Sequence, residues 1–212
     1  MHLVNLGCGP RVLEGWTNVD SALGARLAQL PGFASFNRRH RVFREHWPKG
    51  ILIHNLQEPL PWQSNSVDFI YCSHVLEHLT RHDGVRLLRE CERVLIPGGA
   101  VRIVVPDFRL TIEQYTSGKL DARHVLEKLD VLTARDGDGP MKARLAPFFR
   151  YPHLCMYDRA ALVDALTNAG FEPSPDPNVA PRFQELNLLE SPARTDASVV
   201  IEAEKPGLPP RM

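Results

Sequence analysis

The sequence predicts an α/β fold: a three-layer sandwich on a mostly parallel sheet, with a helical insertion. Three observations lead there. Short β-branched, apolar runs alternate with amphipathic stretches across the first half, and such alternation implies parallel strands joined by crossovers. The first apolar run ends directly on a glycine turn, Gly7-Cys8-Gly9-Pro10. The chain, at 212 residues, is long enough to bury a core without a disulfide or metal staple.

The elements are expected in this order. A strand over 2–6 precedes the glycine turn, and a second over 16–19 ends at Asp20. Residues 21–50 are broken by Pro31, Gly32, Pro48 and Gly50, with one helical stretch over 39–47. A third strand covers 51–56, and Pro59 and Pro61 then force a loop. Residues 67–72 form an apolar run bounded by Ser64-Asn65-Ser66, which fits a buried strand. In the next helix Asp83 serves as cap, and Val85, Leu88, Cys91 and Leu95 recur at helical spacing. Pro97-Gly98-Gly99 ends it. Residues 100–105 are again a strand, stopped by Pro106. Two helical pieces fill 108–135, broken near Gly118, and a polar loop covers 136–140. Asp158 caps a helix running to 169 that Gly170 terminates. A strand is expected to begin over 171–173, and 198–203 is the last clear one. One domain over 1–206 is expected, with 108–157 as a helical cover and 207–212 as a flexible tail.

Charge and composition exclude several classes. Lys plus Arg and Asp plus Glu both number 25, so a dedicated nucleic-acid binder, with its basic excess, is not expected. No apolar run approaches the ~18 residues of a membrane span, and the first residues do not read as a signal peptide. The 4 cysteines lie apart, without a C-x-x-C pair, which favours reduced thiols in a cytoplasmic protein.

In a sheet of this kind the ligand lies beyond the carboxyl ends of the strands. Glycine is required where backbone turns sharply or a ligand comes close. The third glycine of a dinucleotide fingerprint is replaced by Val12, and no P-loop lysine is present. The turn therefore suits a ligand without a pyrophosphate. Asp20, closing the second strand, can accept hydrogen bonds from a ribose diol, or it can cap the next segment. Gly7, Gly9 and Asp20 together read as a nucleoside-binding edge.

Several ordered blocks carry a resemblance. Val4-Asn5-Leu6-Gly7-Cys8-Gly9, Gly15-Trp16-Thr17-Asn18-Val19-Asp20, Pro59-Leu60-Pro61-Trp62, the stretch from Ser66 through Ser73-His74-Val75-Leu76-Glu77-His78, and Glu92-Arg93-Val94-Leu95-Ile96-Pro97-Gly98-Gly99 resemble class I S-adenosylmethionine-dependent methyltransferases. The likeness is nearest to the type 11 group of small methyltransferases with the SHVLEH segment. It implies a Rossmann-like fold and S-adenosylmethionine as cofactor. It also implies roles. Gly7, Cys8 and Gly9 would admit the methionine part, Asp20 would hold the ribose hydroxyls, Asn55 and Leu56 would flank the adenine, and Ser73 would lie beside the sulfonium. Two departures stand out. Only about ten residues separate Gly9 from Asp20, so the first helix is very short or missing. Asn55 stands where the family usually has an acid, so charge assistance to the adenine amino group is lost.

Methyl transfer needs position and, for a protonated acceptor, a base; histidine suits that task near neutral pH. His74, two residues past the fourth strand, is the first candidate, against a histidine that only shapes the loop. Asp107, after the fifth strand, could orient an acceptor or cap the next helix. His153 falls where the resemblance implies an acceptor region. His74 and His78 form an H-x-x-x-H pair that would share a helix face, but no third ligand is evident, so no metal is expected. Arg38-Arg39-His40-Arg41 with Arg44 reads as a solvated face or as a site for an anionic acceptor. Phe148, Phe149, Tyr151 and Tyr157 could wall the acceptor pocket or close the core. A small molecule or a sugar is the acceptor class the resemblance implies. Two rival readings remain: a non-catalytic module binding another adenosine ligand, and an NAD-dependent oxidoreductase or epimerase, which the missing third glycine and an absent Tyr-x-x-x-Lys oppose.

Overall fold

The computed structural model describes residues 1–40, 43, 45–131, 151–191 and 195–207. Seven strands form one sheet in the order β3-β2-β1-β4-β5-β7-β6. They are β1 (Leu3–Leu6), β2 (Thr17–Asp20), β3 (Leu52–Ile53), β4 (Val67–Ser73), β5 (Leu95–Pro106), β6 (Glu172–Pro173) and β7 (Ser198–Glu204). The first five run parallel, and β7 is antiparallel to both β5 and β6. The sheet is thus mostly parallel, as the sequence predicts.

Six α-helices accompany it among the described residues: α1 (Leu23–Ala28), α2 (Phe33–His40), α3 (Arg81–Val94), α4 (Phe108–Thr116), α5 (Ala122–Leu129) and α6 (Arg159–Asn168). Alternate residues of β4 serve opposite faces. Ile70 and Cys72 join Leu87, Leu88, Cys91 and Val94 of α3 and Leu162 and Leu166 of α6 in the main core. Phe69 and Tyr71 meet Leu13, Trp16, Leu186 and Leu189 on the other side. That second layer is made of the 7–16 connection and a 3-10 turn (Gln184–Leu188) rather than long helices.

No helix forms between β1 and β2. Asn18 organises the link instead. Its Oδ1 accepts from the Leu13 N–H and from Asn5 Nδ2, while its Nδ2 donates to the Leu13 and Trp16 carbonyls. Leu13 and Trp16 are thereby held where a helix would otherwise cover the sheet.

Several boundaries differ from expectation. Thr80, not Asp83, is the N-cap of α3: its hydroxyl accepts from the Asp83 N–H and donates to the Asp83 carboxylate, so the two form a reciprocal cap. The buried face of α3 uses Leu87 and Val94 in place of Val85 and Leu95. That helix stops before Pro97, because Leu95 already pairs with Val67 as the start of β5. The helix expected over 39–47 lies earlier, at Phe33–His40, and Trp47 packs against Ile51 and Ala25. Strand β3 is only Leu52–Ile53, because Asn55 turns the chain at once. The two-piece helix after residue 107 and the cap at Asp158 form as expected. The loop over 136–140, and most of the proposed cover beyond residue 131, lie outside the described residues.

Candidate active site

The parallel strands set their carboxyl ends along one edge of the sheet. At the end of β1, Gly7 and Gly9 both take positive φ, +65° and +56°. The two glycines serve different needs. A Cβ on Gly7 would come within 2.2 Å of the Val75 Cγ2 methyl, whereas one on Gly9 would meet nothing within 4 Å. Gly7 lets the loop after β4 close on the turn; Gly9 leaves bare backbone facing open space. Gly7→Ala is expected to lower thermal stability by about 1–2 kcal/mol from the left-handed backbone alone, with Val75 displaced as well. An unchanged melting temperature would show that the loop after β4 yields freely.

Asp20 closes β2 beside this turn. Its Oδ2 accepts from the Gly9 N–H at 2.8 Å and its Oδ1 from the Ala22 N–H at 2.7 Å. The carboxylate thus holds the following segment and at the same time stands at the glycine turn. Each oxygen retains a second lone pair for a ligand hydroxyl. Cys8 contributes backbone to the turn, its N–H donating to the Val19 carbonyl. Its thiol packs with Ala25 and Ile51, and burial, with Asp20 nearby, pushes it up to about 12.

Asn55 follows β3 and accepts from the Gln57 N–H at 3.1 Å, so its amide is fixed in a turn. Leu56 beside it is half-buried against the main core. His54, whose N–H donates to the Asp20 carbonyl, keeps a buried Nε2 without a partner. Ser73 is buried as the last residue of β4. The ends of β3, β2, β1 and β4 thus line up across three strand gaps, roughly 14 Å at ~4.8 Å per gap.

The three candidate catalytic residues meet at one cavity of about 420 Å³, where His74, Asp107 and His153 share the lining with Arg11 and Lys128. His74 sits in the left-handed region at φ +56°, where a side chain other than glycine costs energy and is held by its surroundings. Its N–H donates to the Val104 carbonyl and its Nδ1 lies 3.0 Å from Glu77 Oε1. His74 is therefore outside any helix and does not share a helix face with His78, which lies in a 3-10 turn (Leu76–His78). Asp107 caps α4 through Leu110. Its backbone is fixed between Ala197 and Tyr157, since its N–H donates to the Ala197 carbonyl and Phe108 donates to that of Tyr157. His153 is anchored by Asp130, whose carbonyl accepts its N–H. Burial foremost holds the His153 imidazole below its usual pKa, against the opposing pull of Glu77.

Glu77 was not among the expected site residues. It is 1 % exposed, and a buried carboxyl is rare unless paired; the i, i+3 spacing from His74 within the SHVLEH segment is the signal that could have exposed it. Other candidates fall away. Tyr157 belongs to the core, Tyr151 is exposed, and Arg38, Arg39 and His40 form a solvated last turn of α2. Phe148, Phe149, Arg41 and Arg44 lie outside the described residues. All four cysteines are free thiols. Among the described residues no helix is long and apolar enough to cross a membrane.

Comparison with known proteins agrees with this edge. Residues 15–103 match the methyltransferase domain family. Over that stretch the chain resembles a methyltransferase domain. Its fold is shared with a S-adenosylmethionine-dependent methyltransferase from Methanosarcina mazei, at 17% identity and a TM-score of 0.52, over 98% of this chain and 93% of that one. The PH0226 protein of Pyrococcus horikoshii OT3 matches at 12% identity and a TM-score of 0.52, over 96% and 81%. The [4+2]-cyclase SpnF matches at 17% identity and a TM-score of 0.50, over 98% and 76%. These likenesses show the fold. No curated protein matches the chain. The cofactor of class I methyltransferases is S-adenosylmethionine. The chain has what that group requires at the matching edge: an open glycine approach at Gly9 and a carboxylate with spare acceptor capacity at Asp20. No helix starts at the glycine turn, which leaves a pyrophosphate without its usual seat.

Proposed function

We propose that the protein moves a methyl group from S-adenosylmethionine to an oxygen or nitrogen acceptor on a small molecule or sugar. The observation that carries this reading is the placement of His74. It follows Ser73 at the end of β4, next to the glycine turn, and lines the cavity that Asp107 and His153 share. When bound, the cofactor supplies an electrophilic methyl on a sulfonium.

The protein's own part is positioning and proton transfer. Gly7, Cys8, Gly9 and Asp20 would hold the amino-acid and ribose parts, with Asn55 and Leu56 beside the base and Ser73 at the sulfonium. The helices α4 and α5 would form part of a cover over the acceptor. Glu77 orients His74 through Nδ1, which leaves Nε2 for the acceptor's proton. In that displacement the acceptor oxygen would bond the methyl carbon as the sulfur–methyl bond breaks with its electron pair left on sulfur, and His74 Nε2 would take the hydroxyl proton, giving the methylated acceptor and S-adenosylhomocysteine. Asp107 steadies the acceptor, and Arg11 and Lys128 favour a polar one.

The test combines calorimetry of cofactor binding with a radiolabelled-methyl assay over hydroxylated and amino acceptors, sugars included. Saturable binding with label in one acceptor class supports the reading. Binding without turnover on every acceptor would leave a module that only holds an adenosine ligand. Asp20→Ala is expected to weaken cofactor binding by about 1.5–3 kcal/mol, the usual worth of hydrogen bonds to a charged group. Unchanged affinity in a folded variant would remove Asp20 from the site.

A further inference from the structure

We propose that Glu77, His78 and His153 form a binding site for one divalent transition-metal ion in the wall of the acceptor cavity. One donor atom from each residue lies within 4.8 Å of the others. Two imidazoles and a carboxylate are the ligand set of open zinc and iron sites.

Two buried atoms of this trio, Glu77 Oε2 and His153 Nδ1, have no hydrogen-bond partner. An unpaired buried polar atom costs about 1–3 kcal/mol, and here two occur side by side. Glu77 is in addition almost wholly shielded, at 1 % exposed. A single cation would satisfy both atoms and the His78 ring together.

The surroundings are built to hold the trio in place. The Glu77 carbonyl accepts from the N–H groups of Leu154 at 2.7 Å and Cys155 at 3.1 Å, which ties the His153 segment to the 3-10 turn. His78 Nδ1 faces the Pro152 carbonyl at 3.4 Å. A carbonyl at one ring nitrogen fixes the tautomer and turns the other nitrogen into a ligand. The two rings stand edge to face with centroids 4.9 Å apart. Donors on one ion lie at most ~4.2 Å apart, since each bond is ~2.0–2.2 Å, so small side-chain rotations close the site. The third ligand lies far along the chain, which is why His74 and His78 alone gave no sign of it.

Glu77 serves two neighbours with its two oxygens: Oε1 meets His74 and Oε2 is left for the ion. Three protein ligands leave a coordination position open, and His153 also lines the acceptor cavity. An acceptor hydroxyl coordinated there would lose its proton more readily. That last role rests on the transferase reading; the site itself does not.

The full chain, stripped with a chelator and dialysed, is titrated with Zn2+ and separately with Mn2+ by calorimetry, with circular dichroism to confirm folding. One equivalent of at least one ion should bind. His78→Ala and His153→Ala should each weaken it tenfold or more, about 1.4 kcal/mol per tenfold, while the exposed His40→Ala leaves it unchanged. Glu77→Gln should act likewise; if it fails to fold, the two histidine variants decide. No saturable binding by the folded protein, or native affinity retained in both histidine variants, overturns the site, and so does an equal loss in His40→Ala. The readout needs no methyl acceptor, so its failure leaves the transferase reading standing, and an inactive protein that binds metal leaves the site standing.

Discussion

His74→Asn should fold, bind cofactor and lose about 10²–10⁴ of its turnover on a hydroxyl acceptor, the range that a positioned acid or base contributes. Asparagine is the informative substitution because it accepts the left-handed backbone that His74 occupies at φ +56°. It keeps the Val104 contact, which is made by the backbone, and it removes Nε2. Turnover measured at saturating cofactor and acceptor isolates the chemical step from binding. If His74→Asn turns over at the native rate, the residue only shapes the loop, and Asp107 or His153 must be examined as the base. Glu77→Gln offers a graded counterpart: it retains an oxygen for Nδ1 but removes the charge that orients the ring.

Arg102→Ala is expected to cost about 3–5 kcal/mol of stability, the loss that follows when one partner of a buried ion pair is removed. Arg102 is 2 % exposed in the middle of the sheet, on β5. Its Nε and Nη2 meet both oxygens of Glu190 at 2.7 and 2.8 Å, and Nη1 stands 3.5 Å from Glu202. Nη2 also donates to the Val179 carbonyl at 3.0 Å. One guanidinium therefore ties β5, β7 and the irregular 176–190 segment together. Without it the buried Glu190 carboxylate loses its ion pair, while Glu202 keeps only Arg182, 2.8 Å from its other oxygen. The melting temperature should fall by roughly 10 °C for a chain of this length, and further replacement of Glu190 and Glu202 by glutamine should recover part of the loss. A fall under about 1 kcal/mol would mean that water enters and takes over the role of Arg102.

The legible parts of the sequence were local ones. The apolar run of β4, the glycine turn after β1 and Asp20 at the end of β2 each follow from a few neighbouring residues. Their hydrogen bonds stay close in sequence too, as between Asp20 and Gly9. The cap of α3 was ambiguous because Thr80 and Asp83 bond each other, so either could be read as the cap. The helix expected over 39–47 lies instead at Phe33–His40, and Trp47 is drawn onto α1 beside Gly24. What stayed hidden is long-range. Nothing near Glu77 announces that Leu154 and Cys155 will clasp its carbonyl and bring His153 alongside. Arg102 within an apolar strand gives no hint of the acids it meets, one of them, Glu202, on a strand 100 residues later.

The connection from β1 to β2, held by Asn18 rather than by a helix, sets the electrical character of the entrance it borders. A helix beginning there would aim its partial positive end, about half a unit charge, at the ligand. That field welcomes phosphates and repels a sulfonium. The nearest helix start, at Leu23, is already met by the Asp20 carboxylate through the Ala22 N–H. An incoming cation thus finds negative potential without an opposing pole, and once demethylation has turned it into a neutral thioether that attraction is gone, so product escape is favoured by the same absence of a helix.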